Sequence, residues 1–234
     1  MHILRPQFRM DEQHALEFAA ARGFGVVVAA DEQGPRASHV PFVLKTDDRG
    51  TLAQFHLTAR NPLIALADGT RRFLLIVAGA DAYVSNDWYE SADNVSTWLY
   101  EAVHLGGIAY ARELDQNRAH GDALLAASEA RLEKEPWRLS AMQPSKREAM
   151  LASIRVVDIV VDQVEGQSKL NQHKPDADHV AIADQLAHAP DTAAQCLAVK
   201  MRALRPHLTY GALSSDKQER SRHPPASRPA DSDG

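Results

Sequence analysis

Apolar residues recur along this chain with two periods. Behind Asp11, a natural N-cap, Ala15, Leu16, Ala19 and Ala20 keep helical spacing until Gly23 can end the helix. A strand-like region follows. Residues 24–30 form a short apolar run, 31–34 a turn, 36–45 a second strand, 47–50 another turn and 51–60 a third strand. Spacings of hairpin length predict an antiparallel meander rather than crossover units. Residues 73–78 read as a buried strand, 82–85 as a further short one, and 96–110, rich in aromatic and β-branched side chains, as a long strand. The mostly polar stretch 85–94 between them reads as a loop over a pocket or an interface. Helical spacing returns over 115–134 and 145–152. Residues 154–164 then alternate with apolar residues on both parities, broken by Asp158, which predicts a strand buried on both faces. Helices near 177–188 and 191–204 complete the pattern. The order predicts a fold that is mainly β with α (α+β), an antiparallel β-barrel decorated with helices over residues 1–204. Residues 214–234 are rich in Ser, Pro, Asp and Arg and lack any period, which predicts a disordered tail.

Composition narrows the class. With 234 residues, 44% hydrophobic and 24% charged, the chain reads as an ordinary soluble globular protein of one large domain or two small ones. A formal net charge of −5 carries no overall basic excess, which argues against an autonomous DNA-binding domain and leaves open only a local basic patch in an oligomer. The single Cys196 excludes an internal disulfide and lacks the Cys partners of a structural zinc site, so a reducing compartment is expected. No apolar stretch of signal-peptide length opens the chain. The longest apolar runs, 26–30 and 73–79, are too short to span a bilayer, so a cytoplasmic protein without membrane contact is expected.

Candidate chemistry concentrates at Phe55-His56-Leu57-Thr58-Ala59-Arg60-Asn61-Pro62. If residues 55–60 are extended, His56, Thr58 and Arg60 share a face. A guanidinium fork beside a hydroxyl suits a phosphate, so this face reads either as an anion site for a phosphorylated small molecule or as the polar outer face of an amphipathic strand. Upstream, Ser38 and Val40 alternate with Ala37, His39 and Pro41. Pro41 has no N–H, which places it at an edge, a bulge or a ligand site. Trp98, Tyr100, Ala102 and His104 share another face and fit an aromatic wall, a dimer interface or plain core packing. Lys169-Leu170-Asn171-Gln172-His173-Lys174 gathers five polar side chains and reads as a phosphate-reaching loop or a solvated hairpin tip. Eleven histidines raise the question of a metal. His39, His56 and His104 lie on separate predicted strands, but the chain has no helical His pair with an intervening Glu, and no metal site is assigned.

Taken together, these segments resemble the PaiB-type FMN-binding negative transcriptional regulators over about residues 1–204. The marks are Arg5-Pro6-Gln7-Phe8, Ala37-Ser38-His39-Val40-Pro41, His56 to Pro62, Ala82-Tyr83-Val84-Ser85 with Trp88-Tyr89, Thr97-Trp98 with Tyr100, Val103-His104, and Lys169-Leu170-Asn171-Gln172. The chain departs from the family at Ala80, Asn86, Leu99, Asn171 and His173, where that pattern commonly carries other residues.

The resemblance implies an FMN-binding split β-barrel, usually a homodimer with two flavin sites at the subunit interface. It also implies roles for individual residues. His56, Thr58, Arg60 and the adjoining Asn61 would hold the FMN phosphate or its surroundings; Ser38, His39 and Val40, with Pro41, would face the isoalloxazine ring; Lys169 and Gln172 would close the site. Three functions follow as expectations: a flavin-based regulator, acting as a redox sensor without strong direct DNA binding; an FMN-dependent oxidoreductase of the same fold, with His39, His56 or His104 relaying a proton; and a cofactor-free interaction protein that kept only the barrel.

Overall fold

The structure is a computed structural model that describes residues 1, 3, 5–48 and 50–212. The tail expected over 214–234 lies outside the described residues. The elements run β1 (Arg9–Met10), α1 (Glu12–Arg22), β2 (Phe24–Asp31), β3 (Gly34–Asp47), β4 (Gly50–Thr58), α2 (Leu63–Leu66), β5 (Asp68–Val84), β6 (Thr97–Ala111), α3 (Gln116–Glu129), α4 (Pro144–Ala152), β7 (Ile154–Lys169), α5 (Asp176–Ala187) and α6 (Thr192–Leu204). Helix α1 begins and ends as its sequence dictates. Asp11 accepts the His14 N–H at 2.8 Å, and Gly23 stops the helix in the left-handed region at φ 61°.

Strands β2, β3 and β4 form the expected antiparallel meander, with Val27 opposite Ser38 and Phe42 opposite Phe55. β7 pairs with the far edge of β4, and β5 with the far edge of β2. The strand order is β1-β7-β4-β3-β2-β5-β6, and a further β7–β6 pairing closes six strands into a barrel, with β1 added alongside β7. This is the antiparallel α+β barrel that the sequence predicts.

The chain forms two compact units. Among the described residues, the first comprises Met1–Gly79 and Glu101–Ser168; the second comprises Ala80–Tyr100 and residues 169–212. The first holds the barrel core, in which Phe42, Phe55, Phe73, Leu75 and Ile159 are fully buried. The second has a core of its own, where Ile182 and Leu186 from α5 and Leu197 and Met201 from α6 pack with Leu99. Each such large apolar side chain contributes about 1.5–3 kcal/mol through burial.

Three elements differ from their sequence expectation. Strands expected separately at 73–78 and 82–85 are one strand, β5. Gly79 suggests a break but serves close approach: a Cβ there would lie 2.8 Å from the Phe18 ring. The helix expected to run to 134 ends at Glu129, where Ser128 Oγ bonds back to the Leu124 carbonyl at 2.9 Å and the Glu129 carboxylate takes the Trp137 N–H at 2.9 Å. Within the stretch 154–164, β7 is buried on both faces only over Val156, Val157, Asp158 and Ile159; Val160 is already 44% exposed.

Closure of the barrel depends on a missing side chain. A Cβ on Gly107 of β6 would sit 1.8 Å from the Val160 carbonyl oxygen of β7, whereas one on Gly106 would meet its nearest neighbour at 3.4 Å. Gly107→Ala is therefore expected to cost about 2–4 kcal/mol in urea unfolding, while Gly106→Ala costs about 1 kcal/mol or less. Equal effects of the two would show that the β6–β7 approach is not the constraint.

Candidate flavin site on the barrel

Strand β4 carries His56 on its half-buried face and ends at Thr58. The chain turns there because the Asn61 N–H reaches the Thr58 carbonyl at 2.8 Å and Asn61 Oδ1 accepts the Leu63 N–H at 3.0 Å, which starts α2. Arg60 thus lies in the turn, not on the strand face where extension to residue 60 would place it. Thr58 and Arg60 are both exposed, and among the described residues Arg60 has no acidic partner. Asn61 also donates from Nδ2 to Ser38 Oγ at 3.0 Å, so the β4 turn is tied to β3.

That tie falls at a gap in the sheet. The β3–β4 ladder begins at Phe42 opposite Phe55, so Ser38, His39, Val40 and Pro41 pair with β2 but not with β4. Pro41 cannot donate, and the ladder stops beside it. Val40 points into the core with 1% exposure, Ser38 is half-buried, and His39 is exposed and stacks on Phe24 at 6.3 Å. An unpaired strand edge of this kind offers backbone groups to a flat ring, and the adjoining turn offers a guanidinium, a hydroxyl and an amide to an anion. The donor set fits a phosphorylated planar cofactor.

Behind His56 runs a polar chain that the sequence pattern does not reveal. Lys45 Nζ donates to Gln54 Oε1 at 2.7 Å, Gln54 Nε2 donates to Asp158 Oδ1 at 2.7 Å, and Arg112 approaches Asp158 at 3.4 Å. His120 of α3, 1% exposed, meets Gln54 Oε1 through Nδ1 at 3.1 Å and His56 Nδ1 through Nε2 at 3.0 Å. The proton positions follow from chemistry. Lysine only donates, so the Gln54 oxygen faces Lys45, and His120 Nδ1 must carry a hydrogen to bond that oxygen. Burial, then the neighbouring His56 and Lys45, pushes His120 down to about 4, so its Nε2 is a bare acceptor at neutral pH. His56 then donates from Nδ1 and keeps a lone pair on Nε2. Burial also lowers His56, which keeps that ring neutral. A neutral His56 accepts hydrogen bonds at Nε2 and does not itself donate to a phosphate. Asp158, the charged residue inside an apolar strand, was the one sequence signal for this chain; His120 on an Ala-rich helix gave none.

In the second unit, Lys169 Nζ donates to Thr97 Oγ1 at 2.6 Å, and Gln172 Oε1 accepts the Leu170 N–H at 2.8 Å. Between them Asn171 is fully buried in the left-handed region at φ 59°, a conformation Asn tolerates better than most residues. Lys174 bonds Asn94 and lies 4.7 Å over the Tyr89 ring. The buried Asp178 of α5 accepts the Glu90 and Ser91 N–H groups, each at 2.9 Å, and the Ser91 hydroxyl at 2.6 Å. Burial alone would raise its carboxyl, but the Ser91 and Glu90 donors and Lys174 outweigh it and hold it below the ordinary carboxylate range. Asp178 thereby pins the 85–96 loop. His39, His56 and His104 do not form a ligand set: among the described residues no three His, Cys, Asp or Glu side chains are placed to share a metal ion. No helix among the described residues is long and apolar enough to cross a membrane.

The closed antiparallel barrel with its surrounding helices is a split barrel of the flavin-binding type. The chain belongs to the family described as "Putative FMN-binding domain", whose profile matches residues 1–163, and FMN is its cofactor. Similarity to the PaiB protein of Bacillus subtilis (strain 168), described as "Protease synthase and sporulation protein PAI 2", is 28% identity over 184 residues, 79% of this chain and 88% of that protein. Among solved structures, the FAD and heme binding protein of Mycobacterium smegmatis superposes with a TM-score of 0.52 at 17% identity, covering 68% of this chain and 71% of that one. A conserved protein of Mycobacterium tuberculosis gives a TM-score of 0.52 at 12% identity, covering 74% and 94%. At these identities the solved structures establish the fold alone.

The His120 environment sets a pH dependence. Its folded-state value near 4 lies below the ordinary 6.5, so between those values the unfolded chain binds a proton that the folded chain does not. Stability therefore falls as pH drops from about 6.5 and ceases to fall from this source below about 4. His56, His104 and His179, also lowered chiefly by burial, act in the same direction. Urea midpoints measured from pH 7 to 4 should show His120→Gln losing less than wild type, by up to about 3 kcal/mol. Parallel curves would rule out a neutral buried His120.

Proposed function

We propose that this chain is an FMN-binding regulator of the PaiB type, in which the flavin's redox state is the sensed variable and direct DNA contact is not the main mode of action. The observation that carries the reading is the Asn61–Ser38 hydrogen bond, which joins the phosphate-ready turn to the unpaired edge of β3. In this reading Arg60 and Thr58 hold the phosphate, with Asn61 fixing the turn. The Ser38–Pro41 edge, including His39 and Val40, lies along the isoalloxazine ring. His56 accepts a hydrogen bond from a cofactor N–H or O–H through Nε2. Bound FMN supplies reversible electron transfer. The net charge of −5 supports a regulator that does not rely on the DNA backbone.

The working form in this proposal is a cytoplasmic homodimer with flavin sites at its interface, to which the partner's Lys169 and the partner's Gln172 contribute. An exposed ring pair supports association: Tyr83 and Trp98 stack edge-on at 6.0 Å and are 49% and 55% exposed. One observation favours a second reading, an FMN-dependent oxidoreductase. The His120–His56 pair leaves a neutral imidazole nitrogen suited to accepting a proton.

The purified protein should carry, or take up, FMN with its visible absorbance. Arg60→Ala should weaken FMN binding by about tenfold to a hundredfold, the effect of losing a charge-assisted contact worth about 1.5–3 kcal/mol. A protein that stays colourless with added FMN would overturn the assignment and favour a cofactor-free interaction protein, whereas an Arg60→Ala variant that binds FMN normally would overturn the phosphate role of Arg60. Bleaching of bound flavin with multiple turnover of NAD(P)H would select the oxidoreductase over the sensor.

A further inference from the structure

A cavity in the first unit is built from residues that the flavin reading does not use. It encloses about 530 Å³ between one stripe of α3 and the segment that folds back after it. The stripe presents Arg118, Asp122, Leu125 and Ala126, spaced i, i+4, i+7 and i+8 as one helical face requires. Trp137, Arg138 and Ser140 form the opposite wall. A cavity of this size is in the range of small-molecule sites.

The returning wall is anchored at both ends. The Glu129 carboxylate holds the Trp137 backbone N–H at 2.9 Å and pairs with Lys134, and those two donors keep its carboxyl below the ordinary range. Leu139 is buried at 5% exposure and packs on Gly121 of α3, where a Cβ would meet it at 3.0 Å. Trp137 is therefore fixed through its backbone although its side chain is 42% exposed. A ring carried on an anchored backbone at the edge of a cavity is placed to stack on another ring.

Charge selects the rest of the ligand. Arg118 has Asp122 as a partner at 3.9 Å, whereas Arg138 has no acidic partner among the described residues. One positive charge is left uncompensated beside an indole face, the Ser140 hydroxyl and an apolar patch. We propose that this cavity is a second binding site, independent of the flavin, for a planar aromatic molecule carrying one anionic group, stacked on Trp137 with its carboxylate or phosphate on Arg138. A site of this kind would let a small aromatic anion act on the protein without displacing its cofactor.

The test uses full-length protein saturated with FMN, so that the flavin site is closed to competition, and isothermal titration with two probes. Indole-3-acetate represents the carboxylate source and adenosine monophosphate the phosphate source. At least one should bind saturably with Kd below about 1 mM, and uncharged 3-methylindole should bind at least about tenfold more weakly. Trp137→Ala and Arg138→Gln should each weaken the binding probe at least about tenfold while FMN absorbance and affinity stay unchanged. Both side chains are at the surface, and circular dichroism verifies that each variant folds. The preferred probe identifies which anionic group the site takes. Absence of saturable binding for both probes, affinity unchanged in either variant, or equal affinity for 3-methylindole would overturn the proposal. Failure of the protein to hold FMN would refute the flavin assignment and leave this titration readable.

Discussion

The close approach of β6 and β7 is the constraint on which the first unit depends. Only glycine at 107 lets the β6 backbone come against the Val160 carbonyl, and that contact turns an open meander into a closed barrel. Closure leaves β4 paired with both β3 and β7, so one strand supplies core residues inward and polar residues toward the candidate site. Phe55 and Leu57 are buried on one face, and His56 and Thr58 alternate with them on the other. The position of the site is thus set by packing that contains no functional group.

The polar chain through Gln54 is the second organising feature. Its bonds run between β3, β4, β7 and α3, and each member decides the hydrogen placement of the next. Buried polar groups that are fully paired rigidify a structure, whereas one broken link exposes the rest to an uncompensated desolvation cost. The tautomer of His56 is consequently fixed by a lysine and a carboxylate that do not touch it.

Much of this architecture is legible in the sequence. Turn residues at 31–34 and 47–50 and alternation on either side specify the meander, because local sterics and a single buried face are enough to fix hairpins. The segments at Ser38–Pro41 and His56–Pro62 can be singled out from residue type alone, and the Asn61–Ser38 bond brings them together. Other features were hidden because they depend on partners distant in the chain. The end of β4 at Thr58 comes from the two hydrogen bonds of Asn61, which no alternation pattern encodes. The end of α3 comes from a carboxylate recruited by residues five and eight positions later. His120 and Asp178 look like ordinary helix residues, and only tertiary contact makes one a buried neutral ring and the other a loop anchor.

Pro41 has a consequence beyond shaping the site. A strand stretch with unpaired amides is a template onto which another chain can add as an extra strand, the route to domain swapping and aggregation. A proline in that stretch removes a donor from the ladder any such intruder would need. The same residue that ends the β3–β4 pairing thus discriminates by geometry: a continuous peptide strand finds the edge interrupted, while a compact planar molecule, which needs only a few of its hydrogen bonds, does not.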